Sequence, residues 1–240
     1  MHSAIKMLSS MATKPLLSEL VNAYTATQPA EPTDPQSAMI TLQSDGGVNV
    51  LERVMAGEAV DWLILASDAI ADLTEKGFVD AASTVDLFES SIAVAVPDGT
   101  PTLDIASEAA LRQAVLNAES IGYSTGPSGA HLMRVFERWG IATDLAVKLV
   151  QAPPGVPVGA MLQQGRVTLG FQQLSELQSV SGIIVLGPLP SAVQSVTTFS
   201  MAMLNNSDRA LAYAKWRDFV TSSARQGTIR THGMQPAHGR

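Results

Sequence analysis

The chain has 240 residues, 46% hydrophobic and 15% charged, with a formal net charge of -7 and no cysteine. That length suits one large domain or two smaller lobes, and the composition is that of a globular chain. The acidity excludes the basic footprint of a nucleic-acid-binding protein. The missing cysteines exclude disulfides, thiolate metal sites and a cysteine nucleophile, and no apolar run reaches the roughly 18 residues of a membrane span.

Short β-type runs alternate with amphipathic helical runs. Ala4–Leu8 predicts a strand, followed by a helix with Leu16, Leu17, Leu20, Val21 and Tyr24 on one face. A proline-rich loop (Pro29, Pro32, Pro35) covers 27–37. Ala38–Leu42 predicts a strand and Val48–Met55 a helix. Trp62–Leu65 is a continuous apolar run suited to a strand buried on both faces. Ile70 and Leu73 mark a third helix, and Ser91–Val96 a further strand ended by Pro97-Asp98-Gly99. The pattern then restarts: helix over 108–116, strand over 120–123, helix over 129–139, and strands at 147–150, 168–171 and 183–186, with Met161-Leu162 on a short helix. Val196–Ala202 is a long β-type run. A final helix, capped by Ser207 or Asp208, follows through Leu211, Tyr213, Trp216 and Phe219, and the tail from Thr228 reads as loosely held. Strand–helix alternation implies parallel sheets covered on both faces, and two such blocks in one chain imply two α/β lobes.

Ligands of open α/β sheets sit outside the carboxyl ends of the strands, so the strand-to-helix turns are the candidate site. The first, Ser9-Ser10-Met11-Ala12-Thr13-Lys14-Pro15, places hydroxyls and a cation at a helix start, where free N–H groups favour an anion. Helix capping by Ser10 or Thr13 is the alternative. The second, Ser44-Asp45-Gly46-Gly47, lets backbone approach a ligand closely, and Asp45 opposes an anion unless protonated or paired; an Asx turn is the alternative. Ser67 follows the buried strand as cap or donor. The turn from Ser124 to His131 is the best anion cradle, with Ser128 and Gly129 at a helix start and His131 in its first turn. Gln172 and Gln173 close a strand and are further donors. The histidines, at 2, 131, 232 and 238, lack metal-ligand spacing. No metal and no cofactor is expected, and no nucleotide-loop, zinc-protease or serine-elbow signature occurs.

Ser9-Ser10, the run from Ala59 to Asp68, Gly126-Pro127-Ser128-Gly129 and Gly170-Phe171-Gln172-Gln173 together resemble the molybdate-binding branch of type II periplasmic solute-binding proteins, over most of the chain. The resemblance implies an α/β fold of two lobes with the ligand cleft between them, one lobe from 1–89 plus 197–240 and a second from 90–196. It matches Ser10 to the family's first ligand serine, sets the second near Gly46, and sets the family's late tyrosine near Gln173. It implies a small anionic ligand, an ABC-transporter permease as partner and a periplasmic location after removal of a leader, a natural cytoplasmic start being the alternative. No membrane insertion is expected. Lys14 and His131 turn the expectation towards an organic polycarboxylate, since each can pair with its own carboxyl group. The branch is also similar to aconitate isomerase, an enzyme that moves a double bond in a tricarboxylate. On that alternative His131, Lys14 and Asp45 share the acid, base and anchoring roles.

Overall fold

The computed structural model describes residues 4–28, 39–153 and 155–237. The expected loop from Thr27 is described only to Gln28, and its remainder lies outside these residues. The chain divides into two compact units, Met1–Glu89 with Thr198–Arg240, and Ser90–Thr197.

The first unit runs β1 (Ile5–Ser10), α1 (Lys14–Ala26), β2 (Ile40–Asp45), α2 (Gly47–Met55), β3 (Trp62–Ala66), α3 (Ser67–Glu75) and the opening residues of β4 (Val85–Pro97). β1 pairs in parallel with β2 on one side and β3 on the other. All five residues of β3 are buried, and they alternate between two cores. Trp62, Ile64 and Ala66 join Ile5 and Met7 of β1 and Leu16, Leu17 and Leu20 of α1; Leu63 and Leu65 join Leu8, Val50 and Val54 of α2, and Ile70 and Leu73 of α3. A period of two in the strand thus feeds a helix layer on each face.

The second unit holds the remainder of β4, then α4 (Glu108–Asn117), β5 (Ile121–Tyr123), α5 (Pro127–Arg138), α6 (Ala142–Leu145), β6 (Leu149–Gln151), α7 (Val158–Gln163), β7 (Leu169–Gln173), α8 (Leu174–Leu177) and β8 (Ile183–Pro188). β5 lies parallel to β6 and β7, while β4 runs antiparallel to β7 and β8. Ile92, Val94 and Val96 face one core with Leu132, Phe136 and Phe171, and Ala93 and Ala95 face the other with Val158, Met161 and Leu162. The surface beneath α7 is made of small residues for a steric reason. A Cβ at Gly170 would stand 2.6 Å from Leu162 Cδ1, and one at Gly122 would stand 2.9 Å from Val158 Cγ1.

Chain order returns to the first unit within β9 (Val196–Met203), followed by α9 (Ala210–Thr221), α10 (Gln226–Thr231) and β10 (Gln235–Pro236). β9 pairs antiparallel with β3 through Phe199–Met203. In α9, Tyr213 meets Trp62 edge-on at 5.7 Å and Trp216 meets Tyr24 at 5.2 Å.

Several sequence expectations change. The tail from Thr228 is held, not loose: Ile229 and Met234 are buried, and Gln235 and Pro236 pair with Glu89 and Phe88. Neither Ser207 nor Asp208 caps the last long helix, because Ser207 donates to Asp61 Oδ1 at 3.1 Å and Arg209 occupies the cap position. β1 and β2 extend further than their apolar runs, taking in Ser9, Ser10, Ser44 and Asp45, because backbone pairing continues past the last hydrophobic residue. The strand read over 147–150 begins only at Leu149, with Val147 exposed. Replacing Gly170 by Val forces atoms into Leu162 and Val158, and such overpacking costs about 1–3 kcal/mol. Urea unfolding of Gly170→Val is expected to show that loss as a lower midpoint with an unchanged slope.

Candidate functional site

Parallel strands end at a common edge, and in the first unit that edge collects hydroxyls. The register places Ser9 beside Ser44 and Ile64, and Ser10 beside Asp45. The hydroxyls of Ser9 and Ser44 lie 2.7 Å apart. The nearness of Ser9 and Ser44 depends on strand register, so it has no local signal in the sequence. Ser10 is buried, yet its Oγ has no partner among the described residues. Ser10 and Thr13 do not cap α1 through their side chains: Thr13 Oγ1 donates to Ser10 O at 3.0 Å. A buried hydroxyl without a bond is uncommon and calls for a partner.

Lys14 begins α1 and lines a groove of about 430 Å³ with Ser18, Val21, Asn22, Leu42, Gln43 and Ser44. Among the described residues no carboxylate lines it, and Lys14 is its charged residue. Asp45 is spent internally. Its Oδ1 accepts from Gly46 N at 2.7 Å and Asn49 Nδ2 at 3.1 Å, and its Oδ2 lies 4.0 Å from Arg53. Gly46 and Gly47 start α2 with open space around both α-carbons. Ser67 opens α3 without capping it and lines a separate hollow of about 320 Å³ with Thr74, Thr84, Asp86 and Ser200. There Ser200 Oγ donates to Asp86 Oδ1 at 2.5 Å, so Ser67 keeps company with a carboxylate.

In the second unit the equivalent edge carries the ends of β5 and β7, since Tyr123 is in register with Phe171. The hydroxyls of Ser124 and Ser128 lie 2.8 Å apart at the start of α5, with no acidic residue in that helix's first turn. Gly129 is required here: a Cβ would fall 1.8 Å from Ser124 O. His131 Nε2 is 2.8 Å from Val193 O. A carbonyl only accepts, so Nε2 carries a proton, and the neutral ring keeps a lone pair on Nδ1.

Gln172 and Gln173 point to opposite faces of β7, as strand alternation requires. Gln172 Oε1 accepts from Val158 N at 2.8 Å, and its Nε2 donates to Glu176 Oε1 at 2.7 Å, so its amide is occupied within the unit. Gln173 Nε2 donates to Thr197 Oγ1 at 2.7 Å, while its buried Oε1 has no partner among the described residues. Burial pushes the Glu176 carboxyl up to about 7, against the smaller opposing effect of the Gln172 bond. Sequence reading passed over Glu176, because a glutamate on a short helix ordinarily faces water. Among the described residues no group of three or more His, Asp or Glu is placed to hold a metal ion.

Two outcomes follow. Gly129→Ala drives a methyl group into the Ser124 carbonyl, and thermal melting is expected to show a loss of about 2–4 kcal/mol, in the range of severe single substitutions. A carboxyl whose proton affinity is raised by folding stabilises fully below its unfolded value and loses that contribution as pH climbs through about 7. Glu176→Gln keeps the acceptor for Gln172 without ionising. It is expected to match wild type near pH 4.5 and exceed it by about 1–3 kcal/mol at about pH 8, read by denaturant unfolding at both pH values.

The model of the bacterial extracellular solute-binding protein family matches residues 5–235. The chain is 35% identical over 185 residues to an aconitate isomerase from a Pseudomonas species, covering 77% of this chain and 70% of that one. In fold it is similar to the periplasmic molybdate-binding protein of Azotobacter vinelandii, with a TM-score of 0.78 at 14% identity over 98% of this chain and 100% of that one. It is also similar to the substrate-binding domain of a putative molybdenum ABC transporter from Clostridium difficile, with a TM-score of 0.71 at 16% identity over 98% and 99% of the two chains. No helix among the described residues is long and apolar enough to cross a membrane. Its two α/β units follow the fold of two-lobed periplasmic binding proteins, and the chain belongs to the bacterial extracellular solute-binding protein family.

Proposed function

We propose that this chain binds a small organic polycarboxylate and delivers it in the periplasm to the permease of an ABC transporter. The observation that supports the reading is the strand edge of the first unit, where Ser9, Ser10 and Ser44 gather and the buried Ser10 hydroxyl has no partner among the described residues. Hydroxyls and helix-start N–H groups suit an anion bound without full charge neutralisation. Lys14 adds a cation on the same unit, where the Asp45 carboxylate is already occupied by Gly46, Asn49 and Arg53. In the second unit the Ser124–Ser128 turn at the start of α5 and Gly129 are further candidates.

A second reading is catalytic, and the 35% identical aconitate isomerase favours it. Shifting a double bond in an unsaturated tricarboxylate takes a base beside the carbon that loses its proton. His131 presents Nδ1 for this role, its other nitrogen being fixed on Val193 O. Asp45 suits that role less well, since three groups already hold its carboxylate.

Calorimetric titration with citrate, cis- and trans-aconitate, molybdate and sulfate tests the first reading. Tighter binding of the tricarboxylates is expected, and Lys14→Ala is expected to weaken it by about 1.5–3 kcal/mol. Preference for molybdate or sulfate, with no effect of Lys14→Ala, defeats the polycarboxylate assignment. Incubation with trans-aconitate separates the readings. Appearance of cis-aconitate, lowered about 10²–10⁴-fold in His131→Ala, establishes the isomerase. Tight binding without interconversion leaves the binding protein alone standing.

A further inference from the structure

We propose that Gln194 is a positioning residue: its side-chain amide fixes the Val193 carbonyl that holds the His131 ring, and so leaves Nδ1 as the nitrogen that exchanges a proton with the substrate. The inference rests on the second reading above, in which His131 is the base. Every residue it uses lies in the second unit. The arrangement arises where β8 stops pairing with β4. Their last registered pair is Ala93 with Pro188, and the chain continues as Leu189-Pro190. Leu189 N donates to Ile92 O at 3.0 Å, and Pro190 then has no N–H to continue the ladder. Ile92 is fully buried, so its own backbone groups need partners. Gln194 supplies them. Its Oε1 accepts from Ile92 N at 3.0 Å, a donor shared with Ser195 O at 3.3 Å, and from Ser195 N at 2.9 Å. Its Nε2 donates to Ile92 O at 3.1 Å and Leu189 O at 3.2 Å. With two N–H groups at one end and two carbonyls at the other, one orientation of the amide satisfies all four.

The consequence reaches His131 through one residue. The buried side chain of Val193 shares a core with Ile92 and with Leu132 of α5. That packing fixes where Val193 sits. The direction of its carbonyl is set by the peptide plane it shares with Gln194. On the N–H side of that plane, Gln194 N lies 3.5 Å from Ser191 O, at the long limit of a hydrogen bond. Ser191 and Ala192 are exposed and add no packing there. The Gln194 side chain is therefore the main restraint on the plane. The Val193 carbonyl meets His131 Nε2 at 2.8 Å. A carbonyl only accepts, so Nε2 keeps its proton throughout and the exchange falls to Nδ1. Nδ1 takes a proton from the allylic carbon, and the C–H electron pair becomes the new double bond. The old double bond's pair receives the proton back at its far carbon, so the ring ends as it began. Between these steps the ring is a cation, and a charged donor strengthens its bond to the Val193 carbonyl.

NMR of the full chain with ¹⁵N-labelled histidine reads the ring directly, His131 being assigned by its loss in His131→Gln. At about pH 8, where imidazole is ordinarily neutral, wild type is expected to show a His131 proton on Nε2 that exchanges slowly with water. That readout does not depend on any variant folding. Gln194→Leu keeps the bulk and makes none of the four bonds. It is expected to speed that exchange about tenfold, the scale of one lost hydrogen bond. With trans-aconitate as substrate, the same variant is expected to lower kcat about 10–100-fold and to change KM by no more than about twofold, since a displaced base costs turnover rather than binding. In the His131→Ala background Gln194→Leu is expected to cost no further turnover, because the two residues act as one unit. A wild-type proton found on Nδ1, a ring signal unchanged in Gln194→Leu, or an equal loss of kcat in the His131→Ala background overturns the proposal. Wild type that never interconverts the aconitate isomers overturns the enzyme reading instead, and the ring signal still decides whether Gln194 fixes the ring.

Discussion

Parallel pairing of β1 with both β2 and β3 is the constraint on which the first unit's chemistry depends. Because all three strands point the same way, their carboxyl ends meet at one edge, and the helices that follow must begin there. The register is held by burial rather than by the polar residues themselves. Ile5 and Met7 face one core and Leu8 the other, so a slip of one residue would turn each towards the wrong helix layer. The cost of that slip in apolar burial keeps Ser9 beside Ser44. Hydrophobic packing several residues away thus positions hydroxyls that contribute little to stability themselves.

The charges near these edges are handled in a consistent way. Asp45 is surrounded by Gly46 N, Asn49 and Arg53. Arg53 in turn is held by both oxygens of Glu58 and by Gln43. What is left for an anion is mostly uncharged, namely hydroxyls and helix-start N–H groups, with Lys14 as the exposed cation of its groove. Such a set binds an anion through oriented dipoles, which need no rearrangement when the ligand arrives. It also tolerates ligands of different shape more readily than a fixed guanidinium fork does.

Legibility in the sequence followed the range of the interaction. The β3 run Trp62-Leu63-Ile64-Leu65 announces itself because a strand covered on both faces needs every residue apolar. β10 does not, since two residues pairing with Glu89 and Phe88 carry no local signal. The same division runs through the site. Ser10, Lys14 and Ser128 lie in turns whose composition marks them. The pairing of Ser9 with Ser44 depends on register, and the raised proton affinity of Glu176 depends on burial that only the fold produces. Gln172 and Gln173 are neighbours in sequence only, since alternation along β7 sends one to the α7 start and the other to Thr197.

The two units differ in how they are cut from the chain. The second is a single stretch, Ser90–Thr197, whereas the first takes Met1–Glu89 and Thr198–Arg240. β3 therefore lacks its partner β9 until synthesis has passed residue 203, and α1 lacks the packing of Trp216 until it has passed residue 216. During synthesis from the ribosome the order of completion is inverted. The segment emerging first must wait, with Trp62 and its neighbours uncovered, while the later, continuous segment can already close its core. Contacts across so long a loop form slowly. The nascent first unit is accordingly the part most exposed to premature association and to chaperone capture, even though its residues are made first.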